Sequence, residues 1–195
     1  MAEHGGNDGV RYKPPVLTPD LDYWIPKPAL RIIHARESDA EPDSLWAAAR
    51  AVRLADTRLL GRLIRWRIPG IGVTITFDQL FSSPPFLVLE RRQRVLVSGL
   101  VGRIWTLRRD YPALTDPREF RSWSARGTAR VLIATFVDDA ATIISEARVD
   151  AFGMQGRLGL AAVRPLVSTS HHLIAAEGLE AAVRQATSAP DLTRS

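Results

Sequence analysis

A chain of 195 residues, 46% hydrophobic and 24% charged, is long enough to bury a core and too apolar for global disorder. It has no cysteine, which excludes disulfides, thiolate metal sites and cysteine nucleophiles and suits a reducing, cytoplasmic setting. The net charge of +5 rests on arginine, with Lys13 and Lys27 the only lysines, yet acidic residues are interspersed and no nucleic-acid-binding module is recognisable, so nucleic acid is disfavoured as a partner.

Residues 1–9 are polar and glycine-rich, without the apolar stretch of a secretory leader. No apolar run approaches the roughly 20 residues that cross a bilayer, so no membrane span is expected. Residues 1–28 read as an extended proline-rich arm. Pro14, Pro15, Pro19, Pro26 and Pro28 oppose helix and sheet pairing, while Tyr12, Tyr23 and Trp24 offer apolar groups to dock with.

A single domain is expected over 29–187, with a flexible tail at 188–195. Alternation from Leu30 through Ile32 and His34 predicts a first strand. Pro42, Asp43 and Ser44 then start a helix carrying Leu45, Ala48, Ala49 and Val52. Asp56 and Thr57 open a second, with Leu59, Leu60, Leu63, Ile64 and Trp66, which Pro69 and Gly70 end. Val73, Ile75 and Phe77 alternate with Thr74, Thr76 and Asp78 and predict a half-buried strand. Two further strands follow across a turn at 82–85, the second punctuated by Gly99 and Gly102 on its way to Trp105. Glycines inside strands predict bulges or bends that curl a sheet.

Asp116, Pro117 and Glu119 predict a short helix reaching Trp123. Residues 128–137 and 142–150 read as a hairpin around Asp138-Asp139-Ala140-Ala141. The stretch 154–186 reads as one long amphipathic helix, with Pro165 as a kink or effective start. The predicted class is α+β: a curved antiparallel sheet around a long C-terminal helix, an arrangement that can leave a cavity between the two layers.

Three segments resemble the SRPBCC superfamily, the START or Bet v 1-like helix-grip proteins, and a bacterial subgroup within it. Val97-Ser98-Gly99-Leu100-Val101-Gly102-Arg103-Ile104-Trp105 is similar to a v-x-G-x-x-G-r-x-W stretch. Phe120 is followed by a spacer and by Gly127 opening a strand that runs to Phe136, and Ser145-Glu146-Ala147-Arg148-Val149 is similar to a t-E-t-R-V strand. Two departures stand out. Leu160, Ala161 and Ala162 precede Arg164-Pro165 where that subgroup carries aromatics, and His171-His172 stand where it often has an arginine. The resemblance implies a deep cavity for an apolar molecule such as a lipid, sterol or polyketide. It leaves two activities open, simple binding or a cyclase or dehydratase working in the same cavity. An interaction module acting through the arginine-rich surface, or forming a homodimer, is a third class.

Glu146 and Arg148 lie two apart on a strand and share a face. They read either as a structural ion pair, the favoured reading, or as groups that orient a polar substrate, with Glu146 as an acid or base. His172 is the histidine placed nearer the apolar side of the final helix beside Thr169, and is the second catalytic candidate, although surface or helix-packing histidines are the commoner case. Trp46, Phe77, Trp105, Phe120, Trp123 and Phe136 are the expected walls of the cavity, or simply of the core. The chain has no G-x-S-x-G, H-E-x-x-H or phosphate-loop motif, and neither a metal nor another cofactor is expected.

Overall fold

The computed structural model describes residues 18–57, 72, 74–106 and 111–188, the side chains of 165–177 and 188 excepted. The second helix expected after Asp56 lies outside these residues. The described elements run α1 (Leu21–Trp24), β1 (Leu30–Glu37), α2 (Pro42–Ala51), a 3-10 turn (Leu54–Asp56), α3 (Phe77–Phe81), β2 (Leu87–Arg92), β3 (Val95–Gly102), α4 (Pro117–Ser122), β4 (Ala129–Val137), β5 (Thr142–Ala151) and α5 (Gly153–Ser188). The class is α+β, with one five-stranded sheet in the order β1-β5-β4-β3-β2. Every neighbouring pair is antiparallel.

Local chemistry explains the short elements. Asp116 caps α4 by accepting from the Arg118 N–H at 2.7 Å, with Pro117 at the first helical position. Pro42 opens α2 in the same way, with Asp43 in the first turn and Arg50 in the last, where each complements the helix dipole. The strand predicted through Phe77 is reduced to an isolated bridge between Thr76 and Arg53, and Phe77 and Asp78 instead begin a helix. Thr76 accepts from the Gln79 N–H at 3.2 Å while the Gln79 side chain accepts from the Thr76 N–H at 3.0 Å, a capping box that outweighs three alternating residues.

The arm expected to be extended also turns helical after Pro19. Asp20 accepts from the Tyr23 N–H at 3.1 Å and caps α1, which buries Leu21, Trp24 and the following Ile25. Gly99 makes no bulge. The register shift in the β2–β3 pair falls between Val88 and Glu90. A Cβ at Gly99 would sit 2.5 Å from the Phe120 ring, so the missing side chain makes room for α4 on the sheet.

At β3 both faces of the sheet are covered, and all eight of its residues are buried as a result. Residues paired directly across antiparallel strands share a face, so the register sorts the side chains. One face carries Val95, Val97, Leu132, Ala134 and Phe136 and packs against α1 and Phe120 of α4. The opposite face carries Leu96, Ile133, Thr135, Ile143, Ser145, Ala147 and Val149. Against it lie α2 and the two ends of α5: Leu160 packs with Leu30, Val149 and Ala151, and Leu179 and Ala182 pack with Leu45, Val52 and Ile143. No helix among the described residues is long and apolar enough to cross a membrane.

Candidate ligand cavity

The second face of the sheet is not filled evenly. Towards its middle it presents small residues, Ser145 and Ala147 on β5, beside Thr135 on β4. Longer side chains there would have met the helices, and short ones leave space. The result is a cavity of about 140 Å³. Its floor is Leu96, Ile133, Thr135, Ile143, Ser145 and Ala147, and its walls come from Trp46 and Ala49 of α2, Phe77 and Phe81 of α3, and Leu179 and Ala182 of α5.

The aromatic wall is held by packing. Phe77 and Phe81 meet edge to face at 6.1 Å, and Phe81 meets Phe86 at 5.1 Å. Gly178 of α5 borders the cavity as well, and a Cβ there would come within 2.7 Å of the Phe77 ring. The absence of that one carbon lets the ring lie against the helix and keeps it out of the cavity.

The charged groups of the lining sit on its solvent side. Asp78 pairs with the half-exposed Arg50 at 3.2 Å and with Arg91 at 2.9 Å. Partial burial pushes the Asp78 carboxyl up, but its hydrogen bonds to Arg50 and Arg91 and their charges outweigh this and leave it below its ordinary value. Inside, the polar groups are hydroxyls. Thr135 and Ser145 face each other directly across β4 and β5 and both border the cavity, and among the described residues neither hydroxyl has a hydrogen-bond partner. His34 comes next in the same row, opposite Ser145 on β1, and is buried.

The expected site residues divide between the two faces. Trp46 and Phe77 line the cavity. Trp105 lies on the same side of the sheet but packs with the other end of α5, its ring 2.3 Å from where a Cβ on Gly159 would stand. Phe120, Trp123 and Phe136 belong to the core of the opposite face, where the Trp123 indole donates to Thr128 Oγ1 at 2.9 Å. The side chains of Thr169 and His172 lie outside the described residues.

Glu146 and Arg148 also lie on that opposite face, one residue out of phase with Ser145 and Ala147. Glu146 accepts from Arg31 at 2.8 and 3.2 Å and from Arg148 at 2.5 Å. Arg148 also donates to Asp22 and to the Ile25 carbonyl at 2.8 Å, which fastens the α1 segment to the sheet. Burial pushes the Glu146 carboxyl up, but the hydrogen bonds from Arg31 and Arg148, with their charges, bring it below its ordinary value. An ionised carboxylate held by two guanidinium groups has no proton to donate, and its lone pairs are already engaged. No group of three or more acidic or histidine side chains suited to a metal ion occurs among the described residues.

The hydroxyl pair and the Arg50–Asp78 rim were not among the expected site residues. Their signal was present in the strand: Ser145 and Ala147 are successive small residues on one face of β5.

No family model matches this chain, and no curated protein does. Among solved structures, the crystal structure of TTHA0849 from Thermus thermophilus is similar at a TM-score of 0.33 and 10% identity, over 83% of this chain and all of that one. A likeness that slight sets neither fold nor function.

Proposed function

We propose that the protein binds a small apolar molecule in the cavity between the sheet and the helices α2, α3 and α5, in a helix-grip arrangement of the kind that the SRPBCC-like motifs resemble. The observation that carries this reading is the cavity itself. Tight packing is the rule in protein interiors, and voids much larger than a water molecule are few. Here an apolar space of about 140 Å³, open to solvent on one side, is kept by small residues on the floor and by Gly178 on the wall. Its lining is aromatic and aliphatic with a few convergent polar groups, the usual composition of ligand pockets.

Binding without chemistry is the simpler form of this proposal. The acid or base that a cyclase or dehydratase would need from Glu146 is on the wrong side of the sheet and is neutralised by two arginines. Native mass spectrometry of freshly purified protein, followed by extraction and identification of any passenger, tests the reading. A reproducible apolar passenger, or uptake of an added apolar probe, is expected. A protein that carries nothing and takes up no apolar probe would overturn it.

A further inference from the structure

We propose that the ligand is a compact neutral ring carrying one hydrogen-bonding oxygen, and that Thr135 and Ser145 are the residues that recognise this oxygen. The inference rests on the cavity reading above and adds the class of molecule to it.

Three observations lead there. The first is size. A volume of about 140 Å³ is close to the roughly 150 Å³ of an engineered cavity in another protein that takes benzene, and is below the ~300–1,000 Å³ of pockets for larger ligands. A single ring fills such a space, whereas a long acyl chain or a fused-ring sterol would have to extend through its solvent side.

The second is the pair of hydroxyls. Thr135 and Ser145 are direct cross-strand partners, so their Cβ atoms are about 5 Å apart on one face and both side chains can reach a single atom between them. Each hydroxyl offers one donor and two acceptor lone pairs, and among the described residues both are unused. A phenolic or alcoholic hydroxyl could give its proton to one and accept from the other, and a carbonyl oxygen could accept from both. The remaining floor, Leu96, Ile133, Ile143 and Ala147, is apolar and offers contact area alone.

The third is charge. The arginine that borders the cavity, Arg50, is engaged by Asp78 at its solvent side, and the charges of Glu146 and Arg148 are behind the sheet. A charged group drawn to the floor would meet no opposite charge among the described lining residues, and burying it there would be costly. The oxygen is therefore carried by a neutral molecule.

The test is an NMR titration with phenol, with toluene, which has nearly the same shape and no oxygen, and with dodecanoic acid. It uses the natural protein, the single variants Thr135→Val and Ser145→Ala, and the double variant. Phenol and toluene are expected to bind the natural protein. The double variant should lose about tenfold in phenol affinity, the scale of one hydrogen bond, while toluene affinity stays within about twofold and reports that the fold is intact. Each single variant should lose about threefold for phenol, and these carry the test if the double variant does not fold. Equal effects on both probes, or no effect on phenol, would overturn the role of the hydroxyls and leave the cavity reading standing. Binding of dodecanoic acid but of neither ring would overturn the size class alone. A folded natural protein that binds none of the three would overturn this inference together with the cavity reading.

Discussion

At the residue scale, Glu146 is a buried carboxylate held by two arginines, and its surroundings set a pH dependence. Its carboxyl is held below its ordinary value of 4.5 by Arg31 and Arg148 despite the opposing effect of burial. A depressed carboxyl contributes stability above its unfolded-state value and loses it as pH falls through the folded-state value. The protein should therefore be fully stabilised by this group at neutral pH and weaken progressively below about pH 4.5. Asp56 and Asp78, also lowered, reinforce the trend. Urea midpoints by circular dichroism should fall from neutral pH to about pH 3, and the fall should be shallower in Glu146→Gln. Glu146→Ala should cost about 3 kcal/mol, because it removes the buried carboxylate shared by Arg31 and Arg148 and leaves Arg148 with Asp22 and the Ile25 carbonyl alone. Toluene binding should be unchanged in the folded fraction, since the carboxylate is on the far face of the sheet. A variant that keeps its stability but loses binding would refute the structural role.

At the element scale, two contacts of opposite meaning can be tested. Phe120 is fully buried between α4 and the sheet, in the space opened by Gly99. Phe120→Ala should cost about 3–5 kcal/mol by thermal or urea unfolding, the usual effect of a large core cavity. Gly178→Ala acts differently. The added carbon meets the far end of the Phe77 side chain, and that ring borders an open cavity into which it can turn. Stability should stay within about 1 kcal/mol, since alanine also favours the helix, while toluene affinity should drop at least about tenfold. The 128–150 hairpin was predicted within a residue or two because two long strand-forming runs, nine and ten residues in the structure, flank the turn at Asp138-Asp139. The helix at 117–122 was equally clear from its cap and proline. Phe77 was misread as strand because three alternating residues are a short sample, and a capping box between Thr76 and Gln79 decided the matter locally.

At the scale of the whole molecule, the N-terminal segment is part of the fold. Leu21, Trp24 and Ile25 close the face of the sheet opposite the cavity, and Arg148 pins the segment through Asp22 and the Ile25 carbonyl. Burial of three such side chains is worth about 5–8 kcal/mol, comparable with the whole stability of an ordinary domain. Deleting residues 1–28 should therefore yield insoluble or molten protein, seen as lost near-ultraviolet circular dichroism. A soluble, cooperatively unfolding product would show the segment to be dispensable. The amino-acid sequence by itself determined the α+β class, the long hairpin, the short α4 helix and the pairing of Glu146 with Arg148, because periodicity, caps and two-residue spacing are local properties of the chain. Only the tertiary structure decided which face of the sheet is hollow. The two faces of β5 differ by a single residue of phase, and each is apolar enough to be covered. The choice was made by α1 and α4 packing over the central strands on one side, while the small residues Ser145, Ala147 and Gly178 left room on the other.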